Sequence, residues 1–228
     1  MAFRNKIKAI MEFAPDILIV QECESVNKLN LNKLNINPRS SFWYGDNPNK
    51  GIGIFSFNEN TLSHNQDPGI NDKWIIPFHV KGNVDFTLIS VWAMNHRGNE
   101  VINGVGPAFA TFTRYAPYYD SNIIISGDFN DNKIWDKDYY KSGSFSDVAK
   151  LFDGHGIQSC YHNYYKESFG EESCSTLFWR KSQKTTYHID YCFASVELLN
   201  NMERFAVGKP EDWLSISDHV PIIIDIKT

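Results

Sequence analysis

What this chain lacks narrows it first. It has four cysteines in 228 residues, Cys23, Cys160, Cys174 and Cys192, with no C-x-x-C spacing among them. That pattern excludes a disulfide-built scaffold and a cysteine zinc site, and leaves reduced, mostly buried thiols. No segment holds the roughly 20 consecutive apolar residues of a membrane-spanning helix, and the stretch Met1–Phe13 has no apolar run of signal-peptide length. Positive charge is not in surplus either. A net charge of −5 offers no bulk attraction for nucleic acid or an anionic membrane. A local basic groove or a bound divalent cation reverses that sign at one site, so nucleic acid stays open as a partner. Repeats, low-complexity tracts and a linker are also missing, which points to a single domain over 1–228. The expectation is a soluble, cytoplasmic monomer.

What is present is apolar and aromatic. At 42% hydrophobic and 14% aromatic residues, the chain can bury a sizeable core. Phe3, Ile7, Ile10, Met11 and Ala14 share one face of a helix that Pro15-Asp16 ends. Short apolar runs follow, closed by turn signals: Ile17–Val20, Phe42–Tyr44, Gly51–Phe57, Trp74–Val80, Val84–Trp92, Ile123–Ile125 and Met202–Val207. Ser175–Trp179 and Thr185–Ala194 read as a hairpin over a basic turn, and Val220–Ile226 as a closing strand. Helices are expected within Asn99–Tyr115 and across Phe145–Phe152, the latter capped by Ser144. Ile157–Tyr165 reads as a strand and loop. Many short strands with a few helices between them suggest two packed sheets covered by helices.

Chemistry gathers where apolar strands end. Ile123-Ile124-Ile125 runs into Ser126-Gly127-Asp128-Phe129-Asn130. In an extended loop Asp128 and Asn130 point to one side while Phe129 turns inward, and Gly127 lets another backbone approach closely. The run Ile17–Val20 ends in Gln21-Glu22, where burying a carboxylate is costly unless it is paired or holds a metal. Asp190 lies within His188-Ile189-Asp190-Tyr191, and Asp218-His219 precedes the last strand. Taken singly, the first of these reads equally as an Asx-rich turn and the second as a surface glutamate. Together they supply carboxylates, an amide and a histidine, an oxygen-rich set suited to Mg2+ or Mn2+ rather than zinc. Such a site neutralises a phosphate and activates a water, and an Asp–His pair adds an acid/base or transition-state clamp.

Gln21-Glu22, Gly127-Asp128-Phe129-Asn130, Ile189-Asp190-Tyr191 and Ser217-Asp218-His219, in this order over nearly the whole chain, resemble the endonuclease/exonuclease/phosphatase superfamily. The resemblance implies an α/β fold: a four-layer α/β/β/α sandwich, two mostly antiparallel sheets face to face with helices outside. It implies a divalent-metal-dependent hydrolase of phosphodiester bonds. Nucleic acid is the leading substrate, with a phospholipid or sugar phosphate as the alternative. Glu22 resembles the principal metal ligand and Asp218 a residue near the metal. Asp128 matches the group that orients or deprotonates water, and Asn130 the one that holds phosphate and nucleophile. His219 matches the histidine on the scissile phosphate, backed by Asp190. His96, or failing it Asn95, stands where the family ends a mid-chain strand against the phosphate. Trp179, Arg180 and Lys181 lie where substrate contacts are common, able to stack a base and grip phosphates. They read equally as the solvated tip of a hairpin.

One departure stands out. The family opens with a strand ending in an Asn, whereas this sequence starts at the helix that should follow it. The expectation is a fold with its first strand missing, in which Ile17–Val20 and Val220–Ile226 flank an open slot. An inactive form or a binding module is then the competing reading.

Overall fold

The structure is a computed structural model, and it describes residues 2–64, 75–93, 106–119, 122–138 and 143–227. A single turn, Phe3–Asn5, leads into the helix Ile7–Met11, with Phe3 and Ile7 buried. Strand β1 (Ile17–Cys23) pairs antiparallel with β3 (Lys50–Ser56), which pairs with β2 (Ser40–Asn47) across the turn at 48–49. A six-stranded sheet takes β4 (Thr61–His64), β5 (Ile75–Lys81), β6 (Phe86–Trp92), β7 (Ile123–Asp128) and β8 (Ile157–Ser159). Its order is β4-β5-β6-β7-β11-β8, where β11 is Asp190–Ser195. Between β8 and β11 lies the small pair β9 (Leu177–Phe178) and β10 (Thr186–Tyr187). The chain ends with β12 (Met202–Val207) paired to β13 (Ile222–Ile226). Every ladder is antiparallel except β6–β7, which is parallel and connected through the helix Gly106–Tyr115. A parallel pair needs such a crossover.

The period-two alternation of the strands builds the layers. Ile76, Phe78 and Val80 of β5 and Leu88 of β6 pack with Ile52 and Ile54 of β3, and this is the seam between the sheets. The opposite face carries Ile75, Ile89, Val91, Ile123 and Ile125 into a second core. There Phe112 of the crossover helix and Phe145, Val148 and Phe152 of the helix Phe145–Asp153 cover them. A third cluster sets Val20, Cys23 and Phe55 against Phe3, Ile7, Leu29 and Leu31, which covers the outer face of the small sheet. The order is helix, sheet, sheet, helix. Ser144 caps its helix as expected, within a full capping box.

Two expectations are corrected. The hairpin over Ser175–Ala194 is only two residues deep per strand, because Asp190–Ser195 leaves it to pair with β7 and β8. That run is buried on both faces, which suits a central strand and not one arm of a free hairpin. Ile157–Tyr165 is a short strand followed by the helix Cys160–Tyr165, whose turn starts where Ser159 Oγ accepts from the His162 N–H.

The second sheet is interrupted where the slot was expected. Among the described residues β1 and β13 share no ladder; they line opposite sides of one cleft of about 540 Å3, floored by Leu88, Ile124 and Cys192. Ile17, Leu18, Ile19, Ile222, Ile223 and Ile224 are only half buried, although both strands are all-apolar runs of the kind that normally fill a core. Among the described residues, no strand pairs with the cleft-facing edge of β1 or of β13. Hydrogen exchange should therefore find the cleft-facing amides of β1 and β13 at least ~10-fold faster than those bonded into the β1–β3 and β12–β13 ladders. Equal protection on both edges would contradict the interruption.

Candidate active site

Sheet register brings the acidic residues together. Asp128, last in β7, lies directly opposite Asp190, first in β11, and beside Trp92 of β6. Gly127 makes this possible. Its φ is +146°, and a Cβ there would stand 1.9 Å from the Val91 carbonyl oxygen, so any side chain would force the strands apart. Phe129 is fully buried among Phe112, Tyr191 and Phe193, with ring centroids 5.5–6.0 Å away. With that anchor inward, Asp128 and Asn130 emerge on the other side. Asn130 adopts a left-handed φ of 49° and folds back, donating its backbone N–H to Asp128 Oδ1 at 2.9 Å and its amide to Oδ2 at 3.0 Å. Asp190 Oδ2 accepts from His219 Nδ1 at 2.9 Å. One ligand atom each from Asp128, Asp190 and His219 falls within 4.8 Å of the others.

Two carboxylates this close cannot both ionise freely. Burial pushes the Asp128 carboxyl up, the charge of Asp190 adds to it, and the pull of His219 and Asn130 only partly offsets them, leaving a pKa of about 7. For Asp190 burial also pushes upward, but the charge and hydrogen bond of His219, with help from Thr176, hold it below the usual carboxylate range. Burial lowers His219, and the Asp190 charge and hydrogen bond outweigh that and raise it to about 9. At neutral pH the cluster is an Asp190 carboxylate bonded to an imidazolium, with Asp128 poised between its two states. His219 keeps a third of its side-chain surface exposed, and with Nδ1 committed its Nε2 remains for a ligand.

Glu22 enters from the other sheet. It sits in a bulge of β1 between Val20 and Cys23, with φ +56°. Lys50 Nζ reaches Glu22 Oε1 at 2.7 Å and lies 5.1 Å from the centre of the Trp92 ring. Burial raises Glu22, while the hydrogen bond and charge of Lys50 bring it below its ordinary value. Glu22, Asp128, Asp190, Asp218 and His219 all line the interrupted-sheet cleft. Asp218 is stitched in through its carbonyl, which accepts the Phe178 N–H at 2.7 Å.

No family model matches the chain, and no curated protein matches it. Solved structures do. The Neisseria 3′ phosphatase NExo bound to a product DNA hairpin superposes with TM-score 0.69 at 17% identity, covering 100% of this chain and 96% of that one. An AP endonuclease from Archaeoglobus fulgidus gives 0.68 at 16%, with the same coverage. The AP endonuclease LMAP of Leishmania major gives 0.65 at 14%, covering 99% and 82%. The fold is that of the endonuclease/exonuclease/phosphatase proteins. The four-layer sandwich expected from the motifs is the endonuclease/exonuclease/phosphatase fold observed here.

Within this endonuclease/exonuclease/phosphatase fold the remaining expected residues divide. Trp179 is 54% exposed, Arg180 is exposed, and Arg180 and Lys181 both have left-handed φ. The Lys181 ammonium donates to the Ser215 carbonyl at 2.9 Å, which ties the turn to the loop before Asp218 and leaves further N–H donors on the same group. Asn95 and His96 lie outside the described residues. Other groups had no part in the sequence reading. Thr176 Oγ1 accepts the N–H groups of Ile189 and Asp190, at 3.0 Å each, and fixes the start of β11. Asn132 donates to the His188 carbonyl, to Tyr191 Oη and to Glu172, behind the Asp128 loop. The Asx-rich run Asp128–Asn132 hinted at Asn132, but nothing local marks Thr176 or Glu172.

Two outcomes follow for the metal-free protein. By NMR, His219 should titrate near 9, and Asp190→Asn should return it toward or below 6.5. Because the folded pKa is raised, the pair's contribution to stability is fully present below 6.5 and is lost as pH rises through about 9. Asp190→Asn should thus cost stability at pH 6 and markedly less at pH 10. A wild-type His219 titrating at 6.5 would contradict the assignment.

Proposed function

We propose that this chain is a divalent-metal-dependent hydrolase of phosphodiester bonds that acts on nucleic acid. The observation that supports it most is the Asp128–Asp190–His219 cluster: an imidazolium fixed by one carboxylate beside a second carboxylate balanced near neutrality. The donor set fits a hard cation. Carboxylates of Glu22, Asp128, Asp190 and Asp218 converge on one cleft, and Asp128 is pushed up by burial and then by the charge of Asp190, a repulsion that a divalent ion would relieve. Glu22 and Asp218 would hold Mg2+ or Mn2+. When bound, the ion would supply neutralisation of phosphate charge and polarisation of the ester.

The chain's own groups do the rest. Asp128, held through both oxygens by Asn130, takes a proton from the attacking water, a task suited to a carboxylate of pKa about 7. His219 donates from Nε2 to a phosphate oxygen, and its charge meets the charge that grows in the transition state. Asp190 keeps the ring in place and its charge on. Trp179 and Arg180 offer a stacking face and a guanidinium for a base and a phosphate. The DNA hairpin bound by the Neisseria protein supports nucleic acid as the substrate class here. The half-buried isoleucines of the cleft favour one second reading, a phosphodiester carrying an apolar chain. Four free cysteines fit a reducing, cytoplasmic setting, and we take the chain to act as a monomer.

The test is a substrate panel with Mg2+ and with EDTA: nicked and abasic duplexes, single strands, inositol phosphates and sphingomyelin. Hydrolysis of a nucleic acid, abolished by EDTA, is the expected result. Asp128→Asn and His219→Ala should each lower turnover at least ~10²-fold with an unchanged circular dichroism spectrum. Near-normal rates in folded variants would refute these roles.

A further inference from the structure

A phosphodiester anion entering this cleft meets carboxylates of Glu22, Asp128, Asp190 and Asp218, so every uncommitted cation at its mouth matters. Two of the cations are spoken for: Lys50 bridges to Glu22 and His219 is bonded to Asp190. The third is Lys6. It stands between the turn Phe3–Asn5 and the helix Ile7–Met11, and its side chain lines the same cleft as the catalytic cluster. Burial draws the Lys6 ammonium below the usual lysine range, and the charges of Glu22, Asp218 and Asp190, in descending order, push back against it. Among the described residues no hydrogen bond or ion pair holds its ammonium.

Chance placement is a poor account of this. Lys6 is partly buried where Lys8, two residues on, is exposed, and drawing an ammonium even partly out of water without a partner is costly. The placement is built in one turn earlier. Glu24, only 2% exposed, accepts the Phe3 backbone N–H through Oε2 at 2.6 Å and Arg4 Nη1 through Oε1 at 2.9 Å. That clamp anchors the turn Phe3–Asn5, and Ile7 is locked in the core, so Lys6 is held between two fixed points on the wall of the cleft.

We propose that Lys6 is a catalytic residue of this site, whose ammonium donates to a non-bridging oxygen of the substrate phosphate. This rests on the hydrolase reading above and adds one contact to it. An ammonium offers three donors on a flexible stem and no acceptor, so it tolerates the change in geometry as the phosphorus adds a fifth oxygen. His219 and Lys6 would then meet the growing charge with two fixed positive groups.

The experiment uses the full chain with Lys6→Met, Lys6→Gln and Lys6→Arg. Turnover is measured on whichever panel substrate the wild type cleaves fastest. Binding of a fluorescein-labelled abasic duplex is measured in Ca2+ across a range of salt concentrations. Lys6→Met should lower turnover ~10- to 100-fold, and Lys6→Arg should recover part of that loss. The slope of log affinity against log salt should become shallower by about one, which a merely structural lysine would not change. If Lys6→Met unfolds, Lys6→Gln, which keeps most of the stem, carries the test. Wild-type turnover and salt slope in the folded variants would overturn the role of Lys6 while leaving the hydrolase reading in place. A wild-type protein that neither binds the duplex nor cleaves any member of the panel would overturn both.

Discussion

The whole site hangs on a register. Asp128 and Asp190 are cross-strand partners at the ends of β7 and β11, so the sheet itself forces two carboxylates together at one rim. Such a pair is costly unless positive charge is supplied. His219 supplies it from the loop before β13, through a 2.9 Å bond that fixes the imidazole and keeps it charged. Everything nearby serves that contact. Gly127 admits the Val91 carbonyl, Phe129 pins the loop, Thr176 holds the first N–H groups of β11, and the Phe178–Asp218 hydrogen bond seats the histidine loop. Burial, and then that crowding, lift Asp128 to about 7 beside an imidazolium held by Asp190.

A second consequence is the division of labour between the sheets. The six-stranded sheet is complete and carries the Asp128–Asp190 pair, with aromatic packing on its helical face. The other sheet is in two pieces, and its contributions, Glu22 from β1 and Asp218-His219 before β13, come from opposite sides of the cleft. The six-stranded sheet therefore holds the Asp128–Asp190 pair, while the interrupted sheet and its loops bring Glu22, Asp218 and His219 to it. Lys50 and Lys6 share that acidic mouth with them, one by a direct ion pair and the other at longer range.

Much of this was legible before any coordinates. Apolar runs of alternating or all-β-branched character marked nearly every strand, because burial selects those residues and leaves a period of two. The polar residues that interrupt such runs at their ends, Glu22, Asp128, Asp190 and Asp218-His219, stood out because burying charge is expensive and needs a reason. The motif resemblance then ordered the layers, and it anticipated the slot between β1 and β13. What stayed hidden was long-range. Glu24 clamps Phe3 and Arg4 from about twenty residues away, and no local pattern marks that contact. Glu172 and Thr176 sit in loops whose backbone path no pattern encodes. Strand Asp190–Ser195 looked like a hairpin arm because apolar runs show that a strand is buried but not which neighbour it pairs with.

The central claim is that the acidic rim holds a divalent cation in front of the Asp128–His219 cluster. Water-proton relaxation during Mn2+ titration tests it directly, because a protein-bound ion with exchanging waters enhances relaxation. The account predicts saturable binding of Mn2+ by the wild-type chain, weakened at least ~10-fold in Glu22→Gln, as expected when a ligand of a hard cation loses its charge. Absence of enhancement in the wild type, or identical titrations of the two proteins, would contradict it.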